Sequence, residues 1–497
     1  MPESFDVIVV GAGGSGLAAA CSACERGARV LVLEKRPQPG GTTGIAVGSY
    51  TAAGTSLQRA AGVIDDAAAH AEDAGRFADP AVEARNSPEL RQFFLEEAAA
   101  SFEWLRGLGL TFVGPSPEPP NRQPRMHNVV PGAKAYIAAL QLALHRLGAE
   151  LRCEAVVNEL RWREGRIAGV RATWQGQSRE WEAKRGVVLA AGDYAASASL
   201  IAAHKGAGYQ EIEGINPYAE GDGHRLAASV GAQLLNMDVT YGPELRFVAS
   251  RRRPFQQWLP VHGPAARLMA VLAPRLPRFI MQAMIKRLLV TWQHPENSLF
   301  DDGAILVNRD AVRFCEEYRW PDREIAVAQQ PGKIAFLLLD GYLVERYSRW
   351  PHFVSTAPDI AYAYVQDYRR LRPDVTAWGT TLEAVGRERG LNPARLRRTV
   401  DDLRASRAAS NAGRVALSQL DRPPWVLLGP LKAYFTTTEG GAAINRRMQV
   451  LDGAGQVIPG LYAVGQNGLG GMILWGHGLH IAWAITSGRL AGQAIMS

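Results

Sequence analysis

Cysteine is scarce in this chain: four in 497 residues, at Cys21, Cys24, Cys153 and Cys315. Four thiols at this length make no disulfide framework and point to a reducing, cytoplasmic setting. Cys21 and Cys24 form a CxxC, but both fall on one face of a predicted helix, which is a packing arrangement rather than a redox or metal site. A leader is not expected either, since MPESFDVIVV has no basic stretch or cleavage site and its apolar run reads as a strand. The formal charge of +7 includes arginine clusters at Arg251-Arg252-Arg253 and Arg395-Leu396-Arg397-Arg398. No aromatic-interleaved module surrounds them, so they read as solvated surface with no nucleic-acid partner. With 47% hydrophobic and 21% charged residues, long disorder is excluded; 497 residues call for two domains or one with a large insertion.

What is present starts at Phe5. Phe5 to Val10 is an apolar, β-branched run that breaks at Gly11-Ala12-Gly13-Gly14-Ser15-Gly16 into an alanine-rich helix. Gly11 permits the tight turn, Gly13 lets the backbone approach a pyrophosphate, and Gly16 lets the helix pack on its strand. The helix N-terminus then faces the anion. The helix ends near Gly27, and a second strand, Arg29 to Leu33, delivers Glu34, whose carboxylate suits a ribose 2′-hydroxyl. Strand, helix, strand and acid in register predict dinucleotide binding.

The loop Lys35-Arg36-Pro37-Gln38-Pro39-Gly40-Gly41-Thr42-Thr43-Gly44 offers glycines and hydroxyls for phosphates and a flat ring. Residues 56–110 read as helical, 114–125 as a proline-rich loop, and a helix is expected from Ala133 to Leu147. Strand patterns follow at Glu150 to Val157, Arg166 to Trp174 and Gly186 to Ala190. Gly221-Asp222-Gly223 precedes a short helix. Residues 244–429 are richer in proline, arginine and tryptophan, and an arginine-rich helix is expected over 394–407. From Pro430 the chain returns to glycine-rich strands, and a last helix begins near Gly478.

Several of these segments together resemble a known flavoprotein family. They are Gly41-Thr42-Thr43 with Ala46 to Tyr50, the Leu189 to Ser197 stretch (LAAGDYAAS), Gly221-Asp222-Gly223-His224-Arg225, the Arg313 to Tyr318 element, Thr436 to Gly441, and Ile458 to Asn467. The family is that of soluble fumarate reductases and 3-ketosteroid dehydrogenases, and the ketosteroid branch is the nearer one. The resemblance implies an α/β fold: a Rossmann-like FAD-binding domain of parallel sheet plus antiparallel β-meander, with an inserted α+β substrate (cap) domain. The implied divisions are 1–243, 244–429 and 430–497. It implies FAD bound non-covalently by Gly11, Ala12, Gly13, Gly14, Ser15, Gly16, Glu34, Lys35, Gly40, Gly41, Thr42, Thr43 and Gly44. It adds Val156 on the adenine side, together with Ala191, Gly192, Asp222, Gly465, Gln466 and Leu479. No metal site is implied.

The two branches of that family hold substrate differently. Fumarate reductases clamp a dicarboxylate with a histidine before the double glycine and an arginine in N-R-L-G-G, and they protonate with a cap arginine. Here Thr437 and Gly468 stand at the first two positions, and the third falls near Pro321, with Arg319 and Arg323 close by. The ketosteroid branch holds a ketone with a tyrosine hydroxyl and a glycine N–H at the start of the last helix. Trp475-Gly476-His477-Gly478-Leu479-His480 occupies that turn, so Gly478 is expected to supply the N–H, with His477 or His480 donating in place of tyrosine. Tyr318 lies near the family's base position, with Arg319 to activate it, and Tyr434 is a further candidate. The expected activity is FAD-dependent desaturation of a hydrophobic ketosteroid or cyclic ketone at its α,β carbons. The alternative is reduction of an enone or unsaturated acid. Either needs an external electron acceptor or donor, since no haem-binding CxxCH or second nucleotide motif is present.

One insert stands apart. Residues 255–293 are apolar and basic at once, and Pro277 to Trp292 reads as an amphipathic helix too short to span a bilayer. Three readings are open: an ordinary half-buried helix, peripheral membrane contact through 264–292, or a lid over an apolar pocket or a dimer contact.

Overall fold

Phe5, Val7, Ile8, Val9 and Val10 are all buried, whichever way the side chains alternate, because the first strand, Glu3–Val10, lies inside a parallel sheet covered on both faces. The structure is a computed structural model that describes residues 3–250, 259–261, 263–272, 275, 277–357, 361–409 and 418–497. Arg251 to Arg253 and residues 255–258 of the insert lie outside the described residues.

The first strand pairs in parallel with Val30–Leu33 on one side and with Gln177–Leu189 on the other. The sheet runs Gln449–Leu451, Val457–Ala463, Gln177–Leu189, Glu3–Val10, Val30–Leu33, Glu150–Arg152. An antiparallel meander, Ala155–Arg163 and Arg166–Trp174, joins it through Gln177–Leu189. Chain order therefore reverses at the first strand, and the crevice beyond its carboxyl end is where such sheets bind ligand. The closing helix, Leu479–Ala494, packs on the first helix, Gly14–Cys24, and makes the C-terminal block part of the N-terminal domain. Two glycines allow the approach: a Cβ on Gly488 would lie 2.3 Å from the Ser15 carbonyl oxygen, and one on Gly492 2.4 Å from that of Ala19. Cys21 and Cys24 are buried in the first helix, and burial pushes the Cys24 thiol up to about 11, consistent with packing.

A second, inserted sheet has Trp425–Phe435 at its centre, flanked by Glu213–Gly214, Glu244–Phe247, Ala335–Leu339 and Thr376–Gly379, with Ile305–Val307 beyond. Its central strand crosses residue 429, so residues 430–435 belong to the inserted sheet and lead directly into Thr437–Thr438. The fold class is the expected one. The arginine-rich helix is present as Pro393–Ala409.

Some local expectations need correction. The Glu150 to Val157 strand is two strands, because Glu154 takes a left-handed φ of 56° and redirects the chain from the parallel sheet into the meander. Gly186 to Ala190 is the end of a strand that begins at Gln177. The start of the supposed 114–125 loop is also strand: Thr111–Ser116 pairs with Met126–Val130 in a small antiparallel sheet. What remains of the loop is pinned by fully buried Arg125. Its guanidinium donates to Asp65 at 2.7 and 2.8 Å and to Asp73 at 2.6 Å. Arg125→Met would leave the buried Asp65 side chain without its cation, while Asp73 keeps Arg122 at 2.6 Å, and unfolding is expected to cost about 3 kcal/mol less. A lower urea midpoint at unchanged slope checks this.

Candidate active site

The turn after the first strand shows what each glycine is for. A Cβ on Gly11, whose φ is 105°, would lie 2.4 Å from the Ala190 carbonyl oxygen, and one on Gly16 would lie 1.9 Å from that of Gly11. Those two glycines serve strand and helix packing. At Gly13 the nearest atom to a Cβ is the Gly41 Cα, 3.8 Å away, and at Gly40 and Gly192 nothing lies within 4 Å. Gly40 and Gly192 border open space, and a Cβ on Gly13 would make only an ordinary contact, at the sheet's carboxyl end where the pyrophosphate of FAD needs room. Ala12 and Ser15 are buried in the turn, and a Cβ on Gly14 would meet the Thr43 hydroxyl at 2.7 Å, so the Gly40 to Gly44 loop seats directly on the helix start. Thr42 accepts a hydrogen bond from Asn216 at 3.0 Å.

Glu34 is buried and accepts from the Ala12 and Arg36 backbone N–H groups at 2.8 and 2.9 Å. Each oxygen keeps a further lone pair, so a ribose hydroxyl fits. Lys35 and Asp222 turn out to be partners, 2.7 Å apart, with Glu220 also 2.8 Å from the Lys35 ammonium. Val156 is 42% exposed on the meander side. Gln466 donates to the Thr437 hydroxyl and the Thr438 carbonyl at 2.8 and 2.7 Å. Leu479 is buried, and the Gly465 N–H is taken by Ser487 at 2.9 Å, so both brace the closing helix. Asn467 stitches the two halves of the domain together: it accepts from the Ala191 N–H at 2.6 Å and donates to the Gly192 carbonyl at 2.9 Å and to His224 Nδ1 at 3.2 Å.

Two histidine–carboxylate pairs stand at the start of the closing helix. Gly478 is its N-cap, with a φ of 84° that suits glycine. His477 Nδ1 lies 2.6 Å from Glu118 Oε1, which also accepts the His477 backbone N–H at 2.8 Å, and the Thr51 hydroxyl donates to the His477 carbonyl at 2.6 Å. The His477 side chain is 53% exposed and that of Glu118 8%, with Glu118 Oε2 buried and unpartnered. The bond to Glu118 holds the His477 imidazolium above the usual histidine range. His480 Nε2 lies 2.8 Å from Oε1 of fully buried Glu439, whose Oε2 accepts the Leu474 N–H at 3.2 Å. Asp193 is buried beside this cluster, and burial raises its carboxyl to about 6. Tyr241 and Trp475 meet edge-on, ring centres 5.7 Å apart.

The clamp positions are as informative. The Thr437 hydroxyl is occupied by Gln466 and Asp193, and a Cβ on Gly468 would lie 2.2 Å from the Ala463 carbonyl oxygen. No side chain fits at 468 unless the backbone moves. Arg246, in the cap strand Glu244–Phe247, is paired with Glu244 at 2.8 Å.

The tyrosine candidates stand differently from the histidines. Tyr318 is 44% exposed and its hydroxyl donates to Glu316 at 2.7 Å. Arg319, expected to activate it, is itself bound to Glu316 at 2.8 Å, so the cation is answered by a carboxylate. Arg323 is buried against Glu324 and the Glu317 carbonyl. Tyr434 lies between Glu213 and Glu244 across the second sheet, and burial and then Glu213 push its hydroxyl up to about 12. Sequence reasoning missed Glu118; the signal available was a single acid inside an otherwise proline-rich, acid-free stretch.

A doubly covered parallel sheet with a glycine turn, a buried acid at the end of its second strand and an inserted cap defines a flavin-dependent oxidoreductase. The chain belongs to the FAD binding domain family, which matches residues 6–475. It is 26% identical to a probable fumarate reductase, Ifc3, of Shewanella frigidimarina, over 99% of this chain and 74% of that protein. Among solved structures, the open conformation of a flavocytochrome c3 fumarate reductase superposes with a TM-score of 0.72 at 25% identity, covering 100% of this chain and 78% of that one. A 3-ketosteroid Δ1-dehydrogenase from Sterolibacterium denitrificans shares the fold, with a TM-score of 0.64 at 18% identity over 99% of both chains.

Proposed function

We propose that this enzyme desaturates an uncharged, hydrophobic cyclic ketone, of the ketosteroid kind, at its α,β carbons. The observation that carries the reading is the pairing of His477 with Glu118 and of His480 with Glu439 in a site that lacks both clamping cations of a dicarboxylate enzyme. Glu118, Glu439 and Asp193 would repel a dianion, and Gly468 has no room for an arginine. Bound FAD supplies hydride exchange with a substrate carbon. Gly11 to Gly16, Glu34, Lys35 and Gly40 to Gly44 are the residues that would hold it, without a covalent link.

His477, kept protonated through Nδ1 by Glu118, has Nε2–H left to donate to the ketone oxygen beside the Gly478 N–H. That donation acidifies the α carbon. His480, held at Nε2 by Glu439, keeps Nδ1 to take the α proton, and the Glu439 carboxylate counters the positive charge that then forms on the ring. Two histidines with different carboxylate settings thus take opposite roles. Tyr241 and Trp475 supply an aromatic wall for an apolar ring.

The reverse reaction, reduction of an enone, is the second reading, favoured by likeness to the Shewanella reductase; it would draw electrons from an external donor, as desaturation would pass them to an external acceptor. Anaerobic addition of a cyclic 3-ketone to the yellow protein is expected to bleach the flavin band. If instead only dithionite-reduced protein responds, reoxidised by an enone, the direction is reversed. Reoxidation by fumarate and not by any ketone or enone would overturn the uncharged-substrate reading.

A further inference from the structure

Between Glu244 and Glu296 the chain has no aspartate or glutamate. Acids make up 48 of 497 residues, about one in ten, so these 51 residues should carry about five; they carry none, and nine arginines and lysines. The described part of this stretch has a clear division of labour. The helix Arg278–Trp292 turns Leu289 and Val290 into the cap's core, and its Lys286 is anchored to Asp367 at 3.0 Å. The preceding helix, Gly263–Leu272, leaves Leu268, Val271 and Leu272 60%, 55% and 50% exposed. Their spacing puts them on one face. Arg275 and Arg287 are exposed beside and beyond that helix.

We propose that this face docks on an anionic phospholipid surface. Exposed apolar side chains on one helix face, with Arg275 beside Val271 and no carboxylate in the segment, match the boundary between acyl chains and negative headgroups. A second copy of the chain would present the same positive charge, and the like-charge contact would oppose pairing through this face. A nucleic acid would match the charge but not the apolar face. Among the described residues no helix is long and apolar enough to cross a membrane, so the contact is peripheral. The docking face is independent of the choice of substrate: it draws only on the charge of 263–292 and the exposure of Leu268, Val271, Leu272, Arg275 and Arg287.

Co-sedimentation of the full-length holoenzyme with phosphatidylcholine vesicles, with and without phosphatidylglycerol, tests it. Binding is expected only with phosphatidylglycerol and is expected to weaken with salt. Arg275→Gln with Arg287→Gln should reduce partitioning about thirtyfold, at the usual contribution of a cation near an anionic surface. Leu268→Ser, Val271→Ser and Leu272→Ser together should reduce it by roughly a hundredfold. Flavin content and melting temperature, unchanged in both variants, show that folding is intact. Binding that survives both variants, or no binding at all, overturns the proposal. So does a dimer, seen by sedimentation velocity, that the serine variant dissociates, since a second copy would then be the occupant.

Discussion

A Gly13→Val protein is expected to fold and to be colourless. Gly13 has a φ of −80°, which any residue adopts, and its Cβ would meet no atom closer than 3.8 Å, so the backbone and Cβ of a valine fit without strain. The added methyls would instead fill the space in front of the first helix's free N–H groups. Losing two charge-assisted hydrogen bonds there, at about 1.5–3 kcal/mol each, lowers flavin affinity by at least about a hundredfold. Flavin absorbance per protein, read beside a thermal melt, checks the result. Gly16→Ala is the contrast: its Cβ would lie 1.9 Å from a backbone carbonyl, so helix and strand must part and stability is lost along with flavin. A yellow Gly13→Val protein at full stoichiometry would mean that the pyrophosphate lies elsewhere.

The second large effect is expected at His477. His477→Phe keeps an aromatic ring at the turn but removes the proposed proton donor, and turnover is expected to fall by about 10²–10⁴. Glu118→Gln probes the same pair more finely. Its amide oxygen can still accept from His477, so geometry is kept while the charge that stabilises the imidazolium is removed. Since Glu118 raises the His477 pKa, activity that needs the protonated ring falls as pH rises through that raised value. In Glu118→Gln the falling limb should therefore move to lower pH. The same sign holds for stability. The pair's contribution is complete below the ordinary histidine pKa and is lost as pH rises through the folded value, and Glu118→Gln should flatten that dependence. A pH–rate profile identical to that of the parent enzyme would separate Glu118 from the proton, whatever its effect on folding.

Much of the cofactor half was readable in the chain because its signals are local. The strand, glycine turn, helix, second strand and Glu34 succeed one another within thirty residues, and each is set by side-chain size and backbone freedom rather than by distant partners. The strand at Thr111–Ser116 was hidden because proline and glycine mask a short edge strand whose partner comes ten residues later. The break at Glu154 was hidden because a left-handed residue other than glycine leaves no mark in composition. The tyrosine candidates stand out by position along the chain. Position does not reveal that Glu316 takes both Tyr318 and Arg319, or that burial keeps Tyr434 protonated.

The sequence by itself determined a dinucleotide-binding sheet at Phe5 to Glu34, its completion by the block from Ile458 onward, and the absence of both dicarboxylate-clamping residues at Thr437 and Gly468. Only the tertiary structure decided which side chains stand together at the start of the closing helix. It brings Glu118 to His477 across 359 positions, Glu439 to His480 across 41, and Asn467 to Ala191 across 276. A pattern along the chain encodes what a residue needs from its neighbours in sequence. A buried carboxylate's choice of histidine depends on where folding leaves a charge without water, and only the packed structure sets that.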